Sequence, residues 1–293
     1  MLDLSIIIVN YNAREFLAKC IQSILDNVKN VSYEIIVVDN NSSDKSSEMV
    51  SKEFPQVKLI ANKENGGFSK ANNQGIKASQ KSRYILFLNP DTIVPKQTME
   101  EMIKFMDMHS DAGASTCRLI MPNGQIDDAS HRGFPTPWNS FCHFTGLARI
   151  FPKSQIFAGY NLGWENLDKI HEIDALAGAF MLVRREAGEQ AKWWDEDYFF
   201  YGEDIDFCFT LKQKGWKIYY VPTVFINHYK GVSGGIKAIS KNITTASEET
   251  RKRSTHWRFE AMRIFYRKHY QQKYPWIINF LTNLGISIKE RLA

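Results

Sequence analysis

The chain has only four cysteines in 293 residues, Cys20, Cys117, Cys142 and Cys208, and no two of them stand as C-x-x-C. Such spacing speaks against a zinc ribbon or a dense disulfide framework and suits a reducing cytosol. A membrane span needs about 20 consecutive apolar residues, and no such run occurs. The most apolar late stretch, Trp276 to Leu284, is short and interrupted, and the N-terminal run Leu4 to Val9 follows an acid, Asp3, so no signal peptide is expected. The glycine-containing segment Asn62 to Gly75 fits neither G-x-G-x-x-G nor G-x-x-x-x-G-K-[ST], which excludes the common dinucleotide fingerprint and the P-loop there. With 44% hydrophobic and 24% charged residues the chain is expected to be globular, and either soluble or peripheral to a membrane.

Charge is divided unevenly. Between residues 230 and 293 there are 13 Lys and Arg against 4 Asp and Glu, which leaves 24 against 28 in the first 229 residues. An acidic body and a basic tail should have different tasks.

Short β-branched runs alternate with helical patterns, the signature of a mostly parallel α/β sheet. Strands are expected at 4–9 (LSIIIV), 34–38 (EIIVV), 57–60 (VKLI) and 84–88 (YILFL), with helices over Arg14–Leu25, Lys45–Phe54 and Ser69–Ala78. The first and last of these strands are apolar at nearly every position, as when both sheet faces are covered. Three strands run into polar tips, VNYN (9–12), VDNNSSD (38–44) and LNPD (88–91). Asn, Asp, Ser and Pro are common turn formers, but three polar tips on successive strands point to one crevice, because ligands of open α/β sheets bind beyond the carboxyl ends of the strands. Gly66 and Gly67, ahead of a helix, offer a seat for a phosphate.

Residues 111–172 read as an irregular insertion over the sheet, containing a hairpin turn at MPNGQI (121–126) and a Pro- and aromatic-rich stretch that could form a lid. Order returns at 172–185, expected as one strand bent at Gly178. Then comes FFYGEDIDFC (199–208), where Glu203, Asp204 and Asp206 follow aromatic residues. Acids after a glycine can mark a helix start. Asp91, with Asn89 two residues before it, is a candidate ligand for a hard cation such as Mg²⁺ or Mn²⁺. His228 closes another apolar run in VFINHYKGVSGG (224–235).

VNYN, VDNNSSD, NGGFSKANNQG, LNPDT, LAGAFMLVRR, DEDYFFYGEDIDFC, GWKIYYVP and HYKGVSGG occur in this order over residues 4–235. In them the chain resembles the family 2 inverting glycosyltransferases, in particular the branch with bacterial rhamnosyltransferases. The resemblance implies a GT-A fold, that of nucleotide-diphospho-sugar transferases: a mostly parallel central sheet flanked by helices, here with a C-terminal helical extension. It divides the chain into a catalytic domain, 1–235, with a nucleotide-binding half (1–110) and an acceptor-binding half (111–235), followed by a basic extension, 236–293. By matching positions Val9, Tyr11, Asp39, Gly67, Asn72 and Asn89 would border the nucleotide sugar. Asn89 and Asp91 stand at the D-x-D metal motif, His228 at a further metal ligand, and Asp204 at the catalytic base, with Glu203 shaping the site. Trp193 and Trp194 depart from the pattern, since a glycine is common before the FDE element, and this bears on the acceptor pocket.

The resemblance further implies a nucleotide-sugar donor, dTDP-rhamnose or a UDP-hexose, and a glycan or lipid-linked acceptor used in making cell-surface polysaccharide, with Mg²⁺ or Mn²⁺ as cofactor. A carboxylate can deprotonate an acceptor hydroxyl when burial raises its basicity, and the aromatic run before Asp204 would supply that environment while walling a sugar site. In the tail, Phe259, Met262, Tyr266 and Tyr270 fall at helical spacing among basic residues. This pattern suits a helix packed on the catalytic domain or a basic face on anionic lipid, with Trp276 to Leu284 in the interface. A membrane surface is preferred to nucleic acid, giving a cytoplasmic chain that can sit on the inner face of the plasma membrane. The competing classes are a metal-dependent sugar nucleotidyltransferase and a non-catalytic nucleotide-sugar-binding protein.

Overall fold

The computed structural model describes residues 1–231, 235 and 244–293. Val232 to Gly234 of the HYKGVSGG segment and the start of the tail, 236–243, lie outside the described residues. The first half is a parallel α/β unit. Strands β1 (Leu2–Asn10), β2 (Tyr33–Asp39), β3 (Lys58–Ala61) and β4 (Ser82–Leu88) alternate with helices α1 (Arg14–Asn27), α2 (Ser46–Glu53) and α3 (Phe68–Ala78). Alternation along β1 divides its side chains between two cores. Leu4, Ile6 and Ile8 pack with Leu17, Ile21 and Ile24 of α1, and Ile7 packs with Ile85 and Phe87 of β4 on the other side.

The second half continues the same sheet with β5 (Thr92–Ile93), α4 (Thr98–Met108), β6 (Ala112–Ile120), the helices α5 (Pro137–Thr145) and α6 (Leu147–Ile150), β7 (His171–Ile173), β8 (Phe180–Arg184), α7 (Arg185–Ala191), α8 (Glu203–Gln213) and β9 (Lys217–His228). The strand order is β3-β2-β1-β4-β8-β6-β9-β5, with β7 on β9. Six of the nine described strands share one direction, while β5, β7 and β8 run against their neighbours. The sheet is therefore mixed, with the reversed β8 at its centre.

Two expectations are corrected. The insertion expected from residue 111 begins instead with a core strand, because β6 (AGASTCRLI) is built of small residues: Ala112, Ala114, Ser115, Thr116 and Cys117 are fully buried between helices. Small side chains fit that space but leave no β-branched run to read. Residues 172–185 are two strands rather than one bent strand. The backbone of Ala175 pairs with Arg132, so β7 turns to β9 while β8 enters the sheet between β4 and β6. The turn at MPNGQI forms as expected, with the Met121 N–H donating to the Gln125 carbonyl at 2.8 Å.

Two C-terminal helices complete the described chain, α9 (Glu248–His269) and α10 (Trp276–Arg291). The apolar stripe of α9 buries Phe259, Ile264, Phe265 and Tyr266, and Tyr270 follows it; Phe265, Tyr266 and Tyr270 share a core with Tyr198 and with Phe209 of α8. All four cysteines are free and buried. Among the described residues no helix is long and apolar enough to cross a membrane.

The approach of α3 to the sheet depends on Gly75, where an added Cβ would stand 2.5 Å from the Cγ2 of buried Ile7. Gly75→Ala is expected to destabilise the fold by about 1–3 kcal/mol, the usual cost of overpacking, read as a lower midpoint in urea. An unchanged midpoint would mean that α3 shifts freely.

Candidate active site

The parallel strands end at a cleft of about 1200 Å³, bordered by Val9, Tyr11, Asn40, Gly67, Asn89 and Asp91 from the first half and by Arg132, Glu203, Asp204 and His228 from the second. The polar tips interlock before they meet the cleft. Asn10 Nδ2 donates to Asp39 Oδ1 at 2.7 Å, and Ser42 gives Asp39 both its hydroxyl, at 2.6 Å, and its N–H, at 3.0 Å. Asp39 is thus buried behind the wall, and its neighbour Asn40 lines the cleft while donating to the Gly67 carbonyl at 3.0 Å. Asn72 is also buried and donates to the Phe68 carbonyl one turn back, at 3.1 Å.

The start of α3 was expected to offer free N–H groups to a phosphate. Two are already taken: Gly67 N–H donates to Asn65 Oδ1 at 3.0 Å and Phe68 N–H to the Phe199 carbonyl at 2.8 Å. The helix start is therefore a joint between the glycine segment and the aromatic loop. Gly67 permits it, with φ +89° and a hypothetical Cβ only 2.7 Å from the Phe199 carbonyl oxygen.

On the opposite side, a short antiparallel ladder sets Thr92 opposite His228, and Tyr229 N–H donates to the Asp91 carbonyl at 2.9 Å. This brings Asp91 Oδ1 to 3.5 Å from His228 Nε2. The Nδ1 of His228 donates to Asp127 Oδ2 at 3.0 Å, and Lys230 Nζ binds the other oxygen of Asp127. Asp127 is completely buried just after the MPNGQI turn. Burial acts to raise its pKa, but His228 and Lys230 outweigh burial and hold the carboxyl well below the usual range. Burial acts to lower that of His228, yet Asp91 and Asp127 raise it to about 9.

With Nδ1–H committed to Asp127, a neutral His228 has its lone pair on Nε2, an atom that is buried and has no hydrogen-bond partner among the described residues. A proton and a divalent cation are alternative occupants of that lone pair. Asp91 Oδ1 and His228 Nε2 fit a hard cation, with Asp127 as the outer carboxylate that orients a ligating histidine. Among the described residues no group of three or more His, Cys, Asp or Glu converges on one point, so such a cation would draw its remaining ligands from substrate oxygens and water, as Mg²⁺ commonly does.

The three acids of FFYGEDIDFC stand on the first turn of α8 and part company there. Asp204 Oδ2 accepts from Arg132 Nη2 at 2.7 Å and Oδ1 from the Ile205 N–H at 2.8 Å. Burial, then the charge of Asp204, pushes Glu203 up to about 8. Asp206 faces away, accepting from the Tyr198 hydroxyl at 3.0 Å and from His269 of α9 at 2.6 Å. Of the aromatics, Phe199, Phe200 and Tyr201 line the cleft, Tyr198 is buried, and Trp257 of α9 lies against Phe199 with ring centres 4.2 Å apart. Trp193 and Trp194, the departures from the family pattern, pack instead with Phe87 and Phe207 in the core.

Asp127, Arg132, Lys230 and the cleft-facing side of α9 were not singled out from sequence. Asp127 and Arg132 lie in an irregular loop whose acids and bases look like any solvated turn, and Lys230 was read only as part of HYKGVSGG.

A sheet whose parallel strands end at such a cleft, with a cation-type donor pair on one side and an acidic helix start on the other, matches the GT-A glycosyltransferases. A crystal structure of GalNAc-T7 with UDP, GalNAc and Mn²⁺ aligns with a TM-score of 0.58 at 15% identity, over 78% of this chain and 44% of that one. Staphylococcus aureus TarS in complex with UDP aligns at 0.54 and 15% identity, over 89% and 65%. The chain belongs to glycosyl transferase family 2, whose profile matches residues 5–164. It is 29% identical to rhamnosyltransferase WbbL of Escherichia coli K12, over 76% of this chain and 82% of that protein. It is 26% identical to the N-acetylglucosaminyl-diphospho-decaprenol L-rhamnosyltransferase of Mycobacterium tuberculosis, over 69% and 68%. The protein is a glycosyltransferase.

Because Glu203 binds a proton more tightly when folded than the ordinary 4.5 allows, its contribution is present below pH 4.5 and is lost as pH rises through about 8. Glu203→Gln should therefore melt higher than wild type above pH 8, with the gain vanishing toward pH 4.5. A pH-independent difference would refute the burial of that charge.

Proposed function

We propose that the protein is an inverting glycosyltransferase that moves a sugar, rhamnose from dTDP-rhamnose or a hexose from its UDP conjugate, onto a hydroxyl of a glycan or lipid-linked acceptor in cell-surface polysaccharide synthesis. The observation that carries this proposal is the convergence of the Asp91 and His228 pair and the Asp204 helix start on one cleft.

Val9, Tyr11, Asn40, Gly67 and Asn89 border the donor end of the cleft, with Asp39 tying the β1 and β2 tips together behind them. Asp91 and His228 would hold Mg²⁺ or Mn²⁺, which when bound supplies positive charge against the departing diphosphate. Lys230, anchored on Asp127, adds a fixed positive charge at the same end. At the other end Asp204 receives the acceptor hydroxyl proton. Arg132 fixes the carboxylate orientation, and each oxygen retains a lone-pair site beyond the one it uses. Glu203, kept protonated by burial, adds no second negative charge near the attacking oxygen. Phe199, Phe200 and Tyr201 offer the sugar an apolar wall.

Asp204→Asn is expected to lower transfer by at least about 10³-fold, as removing a general base does, with donor affinity nearly intact. Asp91→Ala should remove the Mn²⁺ dependence of donor affinity in calorimetry. Normal turnover in the first variant would overturn the base assignment, and an unchanged Mn²⁺ effect in the second the cation site.

Of the two tail segments expected at a membrane, α10 is the one that carries the proposed contact. On α9, Lys268 pairs with Asp195 and Asp197, and Arg263 with Glu260 and Glu290. On α10, Trp276, Ile277, Phe280, Leu281, Leu284 and Ile288 are 44–77% exposed along one stripe, within the basic tail. Apolar residues flanked by cations suit an anionic lipid surface, and the inner face of the plasma membrane is the location this favours. Wild type should co-sediment with anionic vesicles, and the Phe280→Asp, Leu284→Asp double variant should not. Absence of wild-type co-sedimentation would refute the proposal.

A further inference from the structure

The cleft is larger than a nucleotide sugar requires, since pockets for small ligands commonly enclose about 300–1,000 Å³ and this one about 1200 Å³. Residues of α9 and α10 line one part of it. Residues of α9 that border it recur at helical spacing, so one face of the helix forms the wall. That face is cationic and polar at Arg253, Ser254, Trp257 and Arg258, then apolar at Met262, Phe265 and Tyr266. Trp138, Phe141 and Phe144 of α5 line the same cleft, and Lys289 of α10 lies 5.3 Å from the Phe144 ring centre.

Lys268 and Arg263 are neutralised by acids, as described above, whereas Arg253 reaches Glu249 only at 4.0 Å with both side chains more than half exposed. Arg258 packs over Phe259, and its Nε is buried with no hydrogen-bond partner among the described residues. Ser254, fully buried on the same wall, has an Oγ that likewise lacks one. Buried donors without partners are costly, and an anion entering the cleft would satisfy both. The same face of α9 meets the loop that leads to Glu203, with Trp257 against Phe199 at 4.2 Å between ring centres and Ala261 against Gly202, so this group of donors lies beside the start of α8.

We infer that Arg253, Ser254 and Arg258 of α9 form a second anion subsite in the cleft, which binds a phosphate of the acceptor whose adjoining apolar chain runs between α5 and α10. Arginine suits this task because its planar donors match phosphate oxygens. That the phosphate belongs to the acceptor rests on the transferase reading above; the subsite itself does not.

The test is calorimetric titration of inorganic pyrophosphate into the full chain saturated with Mn²⁺ and the nucleoside diphosphate it binds best. Wild type should bind pyrophosphate at a further site. The Arg253→Gln, Arg258→Gln double variant should bind it at least about 10-fold more weakly, as loss of charge-assisted hydrogen bonds entails, with nucleoside diphosphate affinity and melting temperature unchanged. The Arg253→Lys, Arg258→Lys double variant, which keeps both charges but not the planar donors, should bind pyrophosphate at an affinity between those of wild type and the glutamine variant, a grading that a merely structural role would not give. No further site in wild type, or an equal loss of nucleoside diphosphate affinity in the double variant, would overturn the inference, the second outcome giving the arginines to the donor. Should no nucleoside diphosphate bind wild type, the transferase reading fails by itself, and the same titration without metal still decides whether the arginines hold pyrophosphate.

Discussion

A carboxylate with no access to water, Asp127, organises one side of the site. Buried charge is tolerated only when it is paired and hydrogen-bonded, and Asp127 meets that condition through His228, Lys230 and the N–H of Ala129. In meeting it, Asp127 fixes which nitrogen of His228 carries the proton and which faces Asp91. The backbone serves the same end. β6 pairs with β9 as far as Ile120 and Asn227, the tight turn returns Asp127 to the Leu119 carbonyl at 2.8 Å, and β5 lies along β9 at Thr92. The ladder of β5 on β9 thus sets Asp91 beside His228, and the loop after β6, tied back to Leu119, brings Asp127 behind them.

The first turn of α8 shows how one short run of acids supports three tasks. Adjacent helix positions point about 100° apart, so Glu203, Asp204 and Asp206 enter different surroundings: a dry pocket, an arginine, and the docking face of α9. The last of these joins the C-terminal extension to the catalytic residues. Asp206 holds His269, Trp257 lies on Phe199, and the carbonyl of Phe199 in turn accepts the first N–H of α3. The extension is part of the wall of the cleft, and a boundary drawn near residue 235 separates segments of chain rather than structural tasks.

Legibility from sequence followed side-chain size and local pattern. β1, β2 and β4 were evident because large apolar residues fill both of their faces, and their polar tips were evident because each apolar run stops at an Asn or Asp. β6 was not, since a strand pressed between helices uses Ala, Ser, Thr and Cys. Asp91, Asp204 and His228 stood out by resemblance and by their positions after apolar runs. Asp127 and Arg132 had no such frame, and the helical spacing of Phe259, Tyr266 and Tyr270 announced a packed stripe without saying what lay under it or that the neighbouring face, at Ser254 and Arg258, borders the site.

What the amino-acid sequence by itself determined was local: which runs are strands and helices, which strand ends are polar, and that acids gather at the start of α8. These follow from periodicity and turn chemistry, which act over a few residues. The tertiary structure alone decided partnership, namely that Asp204 meets Arg132, that Glu203 is dried into a raised pKa, and that Asp127 stands behind His228. Desolvation and pairing depend on residues tens of positions away, and those distances close only when the sheet order has been set.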